Sequence, residues 1–363
     1  MILKRLSVLN YKNILQARVD LSAKINCFFG NNGMGKTNLL DAIYYLSFCK
    51  SHNIGTDSLV INKESEMCVL EGGYASGERD ENIYCAIRHG QKKVFKRGGK
   101  EYDRLSDHIG LIPLVMVSPS DSELIRGGSE ERRRFADLII SQGDKQYLHA
   151  LIQYNKTLLH RNTMLKEQRT DASLLEVLDM QLDMYGGIIY EKRKALIEEF
   201  VPIFNTYYNY ISGTDERVEL VYNSVLSEGP LQSVLQANRQ RDAVLGYTSA
   251  GIHKDDLEMM LDGSLIRKVG SQGQNKTFLI ALKLAQYMFL KEKGGACPIL
   301  LLDDIFDKLD ANRVERIVGL VSGDRFGQIF ITDTNRKYLD DIIKNMNNDY
   351  SLFKVDQGNV SVI

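Results

Sequence analysis

One loop constrains this chain more than any other feature, because it matches the pattern G-x-x-x-x-G-K-T. It consists of Gly30, Asn31, Asn32, Gly33, Met34, Gly35, Lys36 and Thr37. The preceding stretch, Ile25–Phe29, predicts a short buried strand, and the stretch Thr37–Phe48 has helical apolar spacing. Glycines allow successive N–H groups to turn inward at a helix N-terminus, where an anion is favoured. The alternative is an ordinary glycine-rich turn, but the strand–loop–helix order favours a phosphate-binding P-loop.

The last two residues of this glycine loop predict a nucleotide with its metal ion. Lys36 is expected to reach the β- and γ-phosphates of ATP, and the Thr37 hydroxyl is expected to bind Mg²⁺. An acidic motif follows the apolar run Ile299–Leu302 and supplies the other half of such a site. We expect Asp303 to bind Mg²⁺ opposite Thr37, and Asp304 to orient the attacking water. The alternative is a core strand with an acidic end, which is common in α/β sheets.

A second anion cradle is predicted at the start of a later helix. The segment that we call the signature consists of Ser271, Gln272, Gly273 and Gln274. A hydroxyl, a glycine and a helix N-terminus together favour an anion. One chain does not need two γ-phosphate cradles, so we expect two chains to face head to tail, each signature closing the partner's glycine loop. The alternative is an ordinary capped helix start. Downstream, Asp310 is expected to cap the next helix.

Composition and length indicate a soluble globular protein. The chain has 363 residues, 44% hydrophobic and 26% charged, with a formal net charge of −1. No apolar run approaches the roughly 20 residues that span a bilayer, and the five cysteines are scattered. We therefore expect a cytoplasmic protein with reduced thiols and without a structural zinc. Because the global charge does not favour nucleic acid, any such binding must come from a local basic patch.

Hydrophobic periodicity predicts an α/β fold with a helical insertion. Strand patterns dominate residues 1–120, including a hairpin whose turn is Gly98-Gly99, and β/α alternation returns after Val218. Three helices are predicted between them, at Glu130–Ser141, Gln146–Lys166 and Leu174–Phe204, with a break at Gly186-Gly187. The predicted organisation is a discontinuous lobe I, residues 1–120 and 215–363, containing a mixed β region and a parallel sheet. Residues 121–214 form the helical lobe II, or arm.

The order of these motifs resembles the ABC-type P-loop ATPase head of the SMC-related DNA-repair group. Within that group the chain resembles the RecF family of bacterial recombination mediators, through strings that span most of its length. They are Gly35–Tyr44, Ser118-Pro119-x-Asp121, Gly128–Asp137, Tyr154-Asn155-Lys156, Arg161-Asn162, Gly251–Leu257 and Leu300–Asp304.

The resemblance implies a weak, DNA-dependent ATPase that acts as a switch in DNA repair, replication, recombination and the SOS response. ATP binding would close a homodimer on double-stranded DNA, with a preference for junctions between single and double strands at gaps. Slow hydrolysis would then release it. Implied partners are RecR with RecO and, indirectly, RecA, with no membrane. By position, Ser271 and Gly273 act on the partner's nucleotide, and Asp310 lies in a loop that crosses the dimer interface.

Two positions depart from related ATPases. Asp304 stands where ABC transporters have glutamate, and a shorter carboxylate is expected to hold water less well, consistent with a slow switch. Asp333-Thr334 stand where a switch histidine is expected, which leaves the γ-phosphate sensor open.

Basic clusters suggest several alternative DNA contacts. The named candidates are Lys93, Lys96, Arg97, Lys156 and Arg161, accompanied by Lys92, Lys100, Lys166, Arg169 and the run Arg132-Arg133-Arg134. Each cluster has an equally good interpretation as a solvated face. The Arg132–Arg134 run could instead line the nucleotide interface, and His253 with Lys254 could be hinge, core or interface residues.

Three other functions remain as alternatives. An ABC transporter's ATPase subunit would need a fuller L-S-G-G-Q, a glutamate after Asp303 and a switch histidine, all missing here. An ATPase-gated nuclease head would need an acidic metal-binding domain after Asp310, where few residues remain. A non-hydrolysing, ATP-bound scaffold is compatible with the sequence.

Overall fold

The computed structural model of the protein describes residues 1–77, 79–168, 171–306, 309–334, 340 and 349–363. The chain divides into two compact units. The first comprises Met1–Asp121, Tyr210–Ser212 and Leu279–Ile363, and the second comprises Ser122–Asn209 and Gly213–Phe278. Within the described residues, none of the helices combines the length and apolar character needed to cross a bilayer.

The N-terminal part of the first unit is mostly strand. Its elements are β1 (Ile2–Tyr11), β2 (Ile14–Asp20), β3 (Ile25–Phe29), α1 (Lys36–Phe48), β4 (Met67–Ser76), β5 (Arg79–Arg88), β6 (Val94–Arg97), β7 (Lys100–Glu101) and β8 (Leu114–Val117). The strands β2-β1-β4-β5-β6-β7 form one antiparallel sheet in that order. The predicted hairpin is confirmed, and Gly98 and Gly99 both have positive φ in its turn.

The second unit is mostly helical and has its own small sheet. Its elements are α2 (Glu123–Arg126), α3 (Ser129–Gly143), α4 (Lys145–Lys166), α5 (Ala172–Ser212), β9 (Val218–Asn223), α6 (Leu231–Ala237), α7 (Arg239–Leu245), β10 (Asp256–Leu261), β11 (Ser264–Leu265), α8 (Ile266–Val269) and the start of α9 (Gln272–Gly294). The strands pair in the order β11-β10-β9, all antiparallel. The unit thus includes Gly213–Phe278, whereas the boundary predicted from sequence placed residues 215–278 with lobe I.

The predicted break in the longest helix is wrong, because α5 runs without interruption through Gly186 and Gly187. A side chain at Gly186 would bring a Cβ atom within 3.1 Å of Leu231 and 3.4 Å of Tyr154. Glycine at this position therefore permits close packing against the helix. The sequence pattern alone does not distinguish this use of glycine from a helix end.

The C-terminal part of the first unit completes a second sheet. It contains β12 (Ile299–Asp303), α10 (Ala311–Ser322), β13 (Ile329–Asp333), β14 (Tyr350–Asp356) and β15 (Asn359–Val362). The sheet order is β15-β14-β3-β13-β12-β8, parallel throughout except for β15 at one edge. Parallel strands from both chain ends are thus confirmed.

Burial on both faces explains the composition of the central strands. β12 is Ile-Leu-Leu-Leu-Asp and all five residues are buried, as are all five of β13. The parallel register places Asp303 beside Thr332, and Asp333 beside Phe29. The carboxyl ends of β3, β12 and β13 therefore meet at one edge of the sheet, where the glycine loop begins.

A buried ion-pair network ties the helices of the second unit together. The Arg161 guanidinium donates from Nε to Asp179 Oδ1 and from Nη1 to Asp242 Oδ2, both at 2.8 Å. It also donates to the Thr248 hydroxyl at 2.8 Å. Arg161 is 1% exposed and both carboxylates are fully buried. Since buried charges are costly without partners, these residues are structural and mutually dependent.

We expect Arg161→Ala to destabilise the second unit by about 3–5 kcal/mol, because it leaves two buried carboxylates without their main partner. Urea unfolding followed by circular dichroism measures the change. Arg134→Ala is the matched control, since Arg134 pairs with Glu130 and Glu131 on the surface and its loss should cost below about 1 kcal/mol. Equal losses in the two variants would contradict this interpretation.

Candidate nucleotide-binding site

The glycine loop connects β3 to α1 with the backbone that its sequence predicts. Gly33 has φ 79° and Gly35 has φ 112°, both in the region that side chains disfavour. Gly30 is required for a different reason, since a Cβ atom there would lie 2.2 Å from the carbonyl oxygen of Val355. The loop therefore depends on glycine at three positions, while Asn31 and Asn32 are exposed at its tip.

The loop lysine brings a positive charge into the loop itself. Lys36 is the first residue of α1 and only 4% exposed. Its Nζ donates to the carbonyl oxygens of Gly30 at 2.8 Å and Asn31 at 3.1 Å. Within the described chain no side chain caps this helix at Gly35, so its N-terminal dipole adds to the lysine charge. A phosphate group is the ligand that this combination favours.

Two hairpin turns from elsewhere in the chain form hydrogen bonds with the glycine loop, and neither was predicted from the sequence. Asn13, in the β1–β2 turn, donates from Nδ2 to the Gly33 carbonyl at 3.2 Å and accepts from Asn38 at 2.7 Å. In the β14–β15 turn, the Gly358 N–H donates to the Met34 carbonyl at 2.8 Å. These contacts occupy loop carbonyls. The two turns, Lys12-Asn13 and Gln357-Gly358, carry no sequence pattern specific enough to place them beside the glycine loop.

The metal half of the site connects α1 to β12. The Thr37 hydroxyl lies 3.0 Å from both carboxylate oxygens of Asp303. Asp303 is 3% exposed, and burial raises the pKa of its carboxyl, while hydrogen bonds from Thr332 and Thr37 act in the opposite direction. The two residues, 266 positions apart in sequence, are thus brought together at the sheet edge where β3 and β12 end.

Thr332, which the sequence analysis did not single out, lies between the two acids of this edge. Its hydroxyl donates to Asp303 Oδ1 at 2.6 Å and accepts from the Asp304 N–H at 3.1 Å. Asp304 itself has φ 46°, a left-handed conformation that aspartate tolerates better than most residues. Asp333, at the expected position of a switch histidine, is buried at the end of β13.

These oxygens fit a magnesium ion. Mg²⁺ prefers a small number of hydroxyl and carboxylate ligands beside the phosphates of a nucleotide. A buried carboxylate whose pKa is raised by desolvation gains its charged form most readily beside a cation. Thr37 and Asp303 are the residues that would hold the ion.

The signature begins α9 and forms a reciprocal helix cap. The Gln274 N–H donates to the Ser271 hydroxyl at 3.2 Å, and the Ser271 N–H donates to Gln274 Oε1 at 2.9 Å. Gln274 also donates from Nε2 to Glu216 at 2.6 Å. Ser271 and Gln272 are exposed, and Gly273 is partly so. The ordinary interpretation, a capped helix start, is therefore correct as local structure, and it leaves an exposed helix N-terminus.

The predicted cap at Asp310 is confirmed. Its Oδ1 accepts from the Arg313 N–H at 3.0 Å at the start of α10. The side chain is 55% exposed, so the cap still faces solvent. Asp307 and Lys308, which precede it, lie outside the described residues.

The basic candidates differ widely in their surroundings. Lys93 is only 14% exposed and bonds to Asp57, Tyr45 and the Cys49 carbonyl. Arg97 pairs with Glu81 through two hydrogen bonds, and that pairing raises the pKa of the guanidinium. Lys96 lies over the ring of Tyr84 and is partly exposed, while Lys92, Lys100, Lys156 and Lys166 are exposed. Arg169 lies outside the described residues.

Burial removes several of these cations from the candidate DNA contacts. Arg161 was wrongly included, because it is enclosed by Asp179 and Asp242. The buried Arg132 guanidinium likewise donates hydrogen bonds within the protein, to Asp256 and to two backbone carbonyls. Both ring nitrogens of His253 are used in hydrogen bonds, to Tyr154 and to the Thr248 carbonyl, and burial lowers the pKa of its imidazole to about 4.

Comparisons with known proteins show which family the chain resembles. Residues 1–223 match the family model of the AAA ATPase domain. The DNA replication and repair protein RecF of Parabacteroides distasonis is 68% identical over 99% of both chains. A solved structure of the recombination mediator protein RecF-ATP in the RecFOR pathway superposes with a TM-score of 0.89 at 30% identity, covering 100% of this chain and 97% of that one.

More distant proteins share the same fold. An SMC head bound to the C-terminal winged-helix domain of ScpA superposes with a TM-score of 0.60 at 16% identity, over 100% of this chain and 97% of that one, which shows a shared fold. The expected ABC-type head is thus confirmed. On the identity and coverage of its relatives, the chain belongs to the RecF family of DNA replication and repair proteins.

Proposed function

We propose that this protein is an ATP-driven switch that closes as a homodimer on duplex DNA and at junctions of single and double strands. The observation that carries the proposal is the contact of Thr37 with Asp303, which joins the glycine loop to the acidic strand end. An ordinary glycine-rich turn has no need of a buried acid at this point. A site that binds nucleotide with a metal ion does.

At the ATP site, different residues of the chain bind the phosphates, hold the metal ion and orient the attacking water. The N–H groups of the glycine loop and the Lys36 ammonium bind the phosphates. Thr37 and Asp303 hold Mg²⁺, which neutralises phosphate charge when bound. Asp304, one residue beyond the metal carboxylate, orients the attacking water. Because aspartate is shorter than glutamate, this water is held less closely, and hydrolysis serves as a slow reset.

The signature is proposed to act on the nucleotide of a second copy. Three features support this: the exposed side chain of Ser271, the small Gly273, and an N-terminal dipole at the start of a 23-residue helix. The reciprocal cap preorganises the Ser271 backbone for such an approach. Asp310, exposed at the start of α10, is proposed to lie in the loop that crosses between the copies.

For DNA, the exposed and partly exposed cations of the β5–β7 region and of α4 are the best remaining candidates. Lys96 and Arg97 accompany Lys92 and Lys100 near the hairpin, and Lys156 and Lys166 lie on α4. Lysines of this kind neutralise phosphates without reading bases, so binding should be strongly salt-dependent and weakly sequence-dependent. Lys93 takes part in a local ion pair and is the weakest of the set.

The pathway context comes from the relatives. A structural relative is described as the recombination mediator RecF in the RecFOR pathway. We propose that this chain likewise works with RecR and RecO to assist the loading of RecA, in the cytoplasm where chromosomal DNA lies.

The direct test measures ATP hydrolysis and dimerisation with and without gapped duplex DNA. We expect DNA to stimulate one or both in the wild type. Lys36→Ala should lose nucleotide binding, because the charge inside the glycine loop is removed. Lys63→Ala, an exposed lysine elsewhere in the same unit, is the matched control. If DNA changes neither hydrolysis nor dimerisation, the proposal fails.

We expect Ser271→Arg to bind ATP normally as a monomer but not to dimerise, since a long cation replaces the hydroxyl at the signature. Light scattering with a slowly hydrolysed ATP analogue measures the mass. Ser271→Ala separates the lost cap, which costs about 1 kcal/mol, from the added bulk. A normal ATP-induced dimer of Ser271→Arg would disprove action on the partner's nucleotide.

We expect Asp304→Asn to slow hydrolysis by about 100-fold or more, because an amide cannot accept the water's proton. The ATP-bound dimer should then dissociate from DNA correspondingly slowly, as measured by competition with unlabelled duplex. Asp324→Asn, at an exposed acid of the same unit, is expected to behave as wild type. Unchanged hydrolysis in Asp304→Asn would exclude that residue from the mechanism.

A further inference from the structure

A fully buried hydroxyl is an unusual feature in the centre of the parallel sheet. Thr332 is 0% exposed and follows Ile329, Phe330 and Ile331 on β13. A buried hydroxyl costs free energy unless its hydrogen-bonding capacity is used. Here both capacities are used, toward Asp303 and toward the backbone of Asp304.

The direction of these hydrogen bonds is determined by chemistry. An ionised carboxylate only accepts, so the Thr332 hydroxyl hydrogen points to Asp303 Oδ1, at 2.6 Å. The hydroxyl oxygen then accepts from the Asp304 N–H, at 3.1 Å. The Asp304 N–H also lies 3.2 Å from the carbonyl oxygen of Thr332. One residue of β13 therefore orients the side chain of one acid and the backbone of the next.

The Thr37 hydroxyl, which also contacts Asp303, cannot fix the orientation of this carboxylate. Thr37 lies at an equal 3.0 Å from both carboxylate oxygens, and its single hydrogen donates to one of them at a time. Thr37 is also a proposed metal ligand, so its hydroxyl oxygen would bind Mg²⁺ at the same time. The shorter, one-sided bond from Thr332 is what fixes the rotation of the carboxylate.

The backbone conformation of Asp304 also depends on hydrogen bonds from its surroundings. Its φ of 46° is a left-handed conformation, which persists only where the surroundings hold it. Thr332 accepts its N–H through both hydroxyl and carbonyl oxygens. The direction in which the Asp304 side chain leaves the strand end therefore depends on Thr332.

We propose that Thr332 is a positioning residue of the ATPase reaction, setting both the Mg²⁺ affinity of Asp303 and the orientation of Asp304. The inference rests on the proposed roles of those two acids. Partners that orient a metal ligand typically contribute about 10- to 100-fold in metal affinity or activity. We expect an effect of that size when the hydroxyl is removed.

The test compares Thr332→Val, which keeps the shape, with Thr332→Ser, which keeps the hydroxyl. Valine should raise the Mg²⁺ concentration for half-maximal nucleotide binding by about 10-fold or more and lower kcat, while serine remains within about 3-fold of wild type. Binding is read from a fluorescent, slowly hydrolysed ATP analogue titrated with Mg²⁺. Nucleotide binding without Mg²⁺ should be unchanged in both, which shows that the fold is intact.

Thr277→Val is the matched control. Thr277 is a fully buried threonine whose hydroxyl has no hydrogen-bond partner in the part of the chain that the structure describes. The same substitution there should leave the Mg²⁺ dependence unchanged. If Thr332→Val does not fold, Thr332→Cys against Thr332→Ser carries the comparison, because a thiol of similar size is a weak donor.

Asp303→Asn separates the positioning role of Thr332 from the proposed metal-binding role of Asp303. If it loses the Mg²⁺ dependence while Thr332→Val keeps wild-type values, Thr332 has no positioning role and the proposed metal site stands. If Asp303→Asn itself keeps wild-type Mg²⁺ dependence, the proposed function of the acids fails and this inference fails with it.

Discussion

The parallel pairing of β3, β13 and β12 is the constraint on which the candidate site depends. Each strand is buried on both faces, so its register is fixed by packing rather than by a turn. That register aligns three strand ends and places Asp303 beside Thr332, and Asp333 beside Phe29. The glycine loop follows β3, and the acids lie beside it because β13 pairs with β3 and β12 pairs with β13.

The glycine loop is preorganised from both sides. On the inner side, Lys36 occupies two loop carbonyls, and on the outer side Asn13 and Gly358 occupy those of Gly33 and Met34. With its acceptors used in this way, the loop presents donors to an anion at little ordering cost. This arrangement explains why hairpin turns remote in sequence belong to the site.

Sequence patterns predicted the parts of the fold that depend on local chemistry. The strand before the glycine loop, the helix after it, the apolar strand ending in Asp303 and the Asp310 cap were each predicted from a local pattern, and the structure contains all of them. The strands β2, β14 and β15 were not predicted, because their short patterns gain meaning only from their neighbours in the sheets. Thr332 was missed for a related reason, since its role arises from a register with Asp303 that periodicity does not reveal.

The sequence identifies charged residues but does not show whether each one is buried in an ion pair or exposed to solvent. Arg161 and Lys156 look alike as cations in the same segment, yet one is enclosed by two buried carboxylates and the other is exposed. The same holds within the site, where buried Asp303 accepts hydrogen bonds from two hydroxyls, while Asp304, one residue later, donates its backbone N–H to Thr332. Adjacent aspartates thereby receive different constraints: a fixed carboxylate suits the proposed metal ligand, and a backbone held by Thr332 suits the acid proposed to act on water. The two proposed roles thus follow from the environment of each carboxylate and not from the residue type.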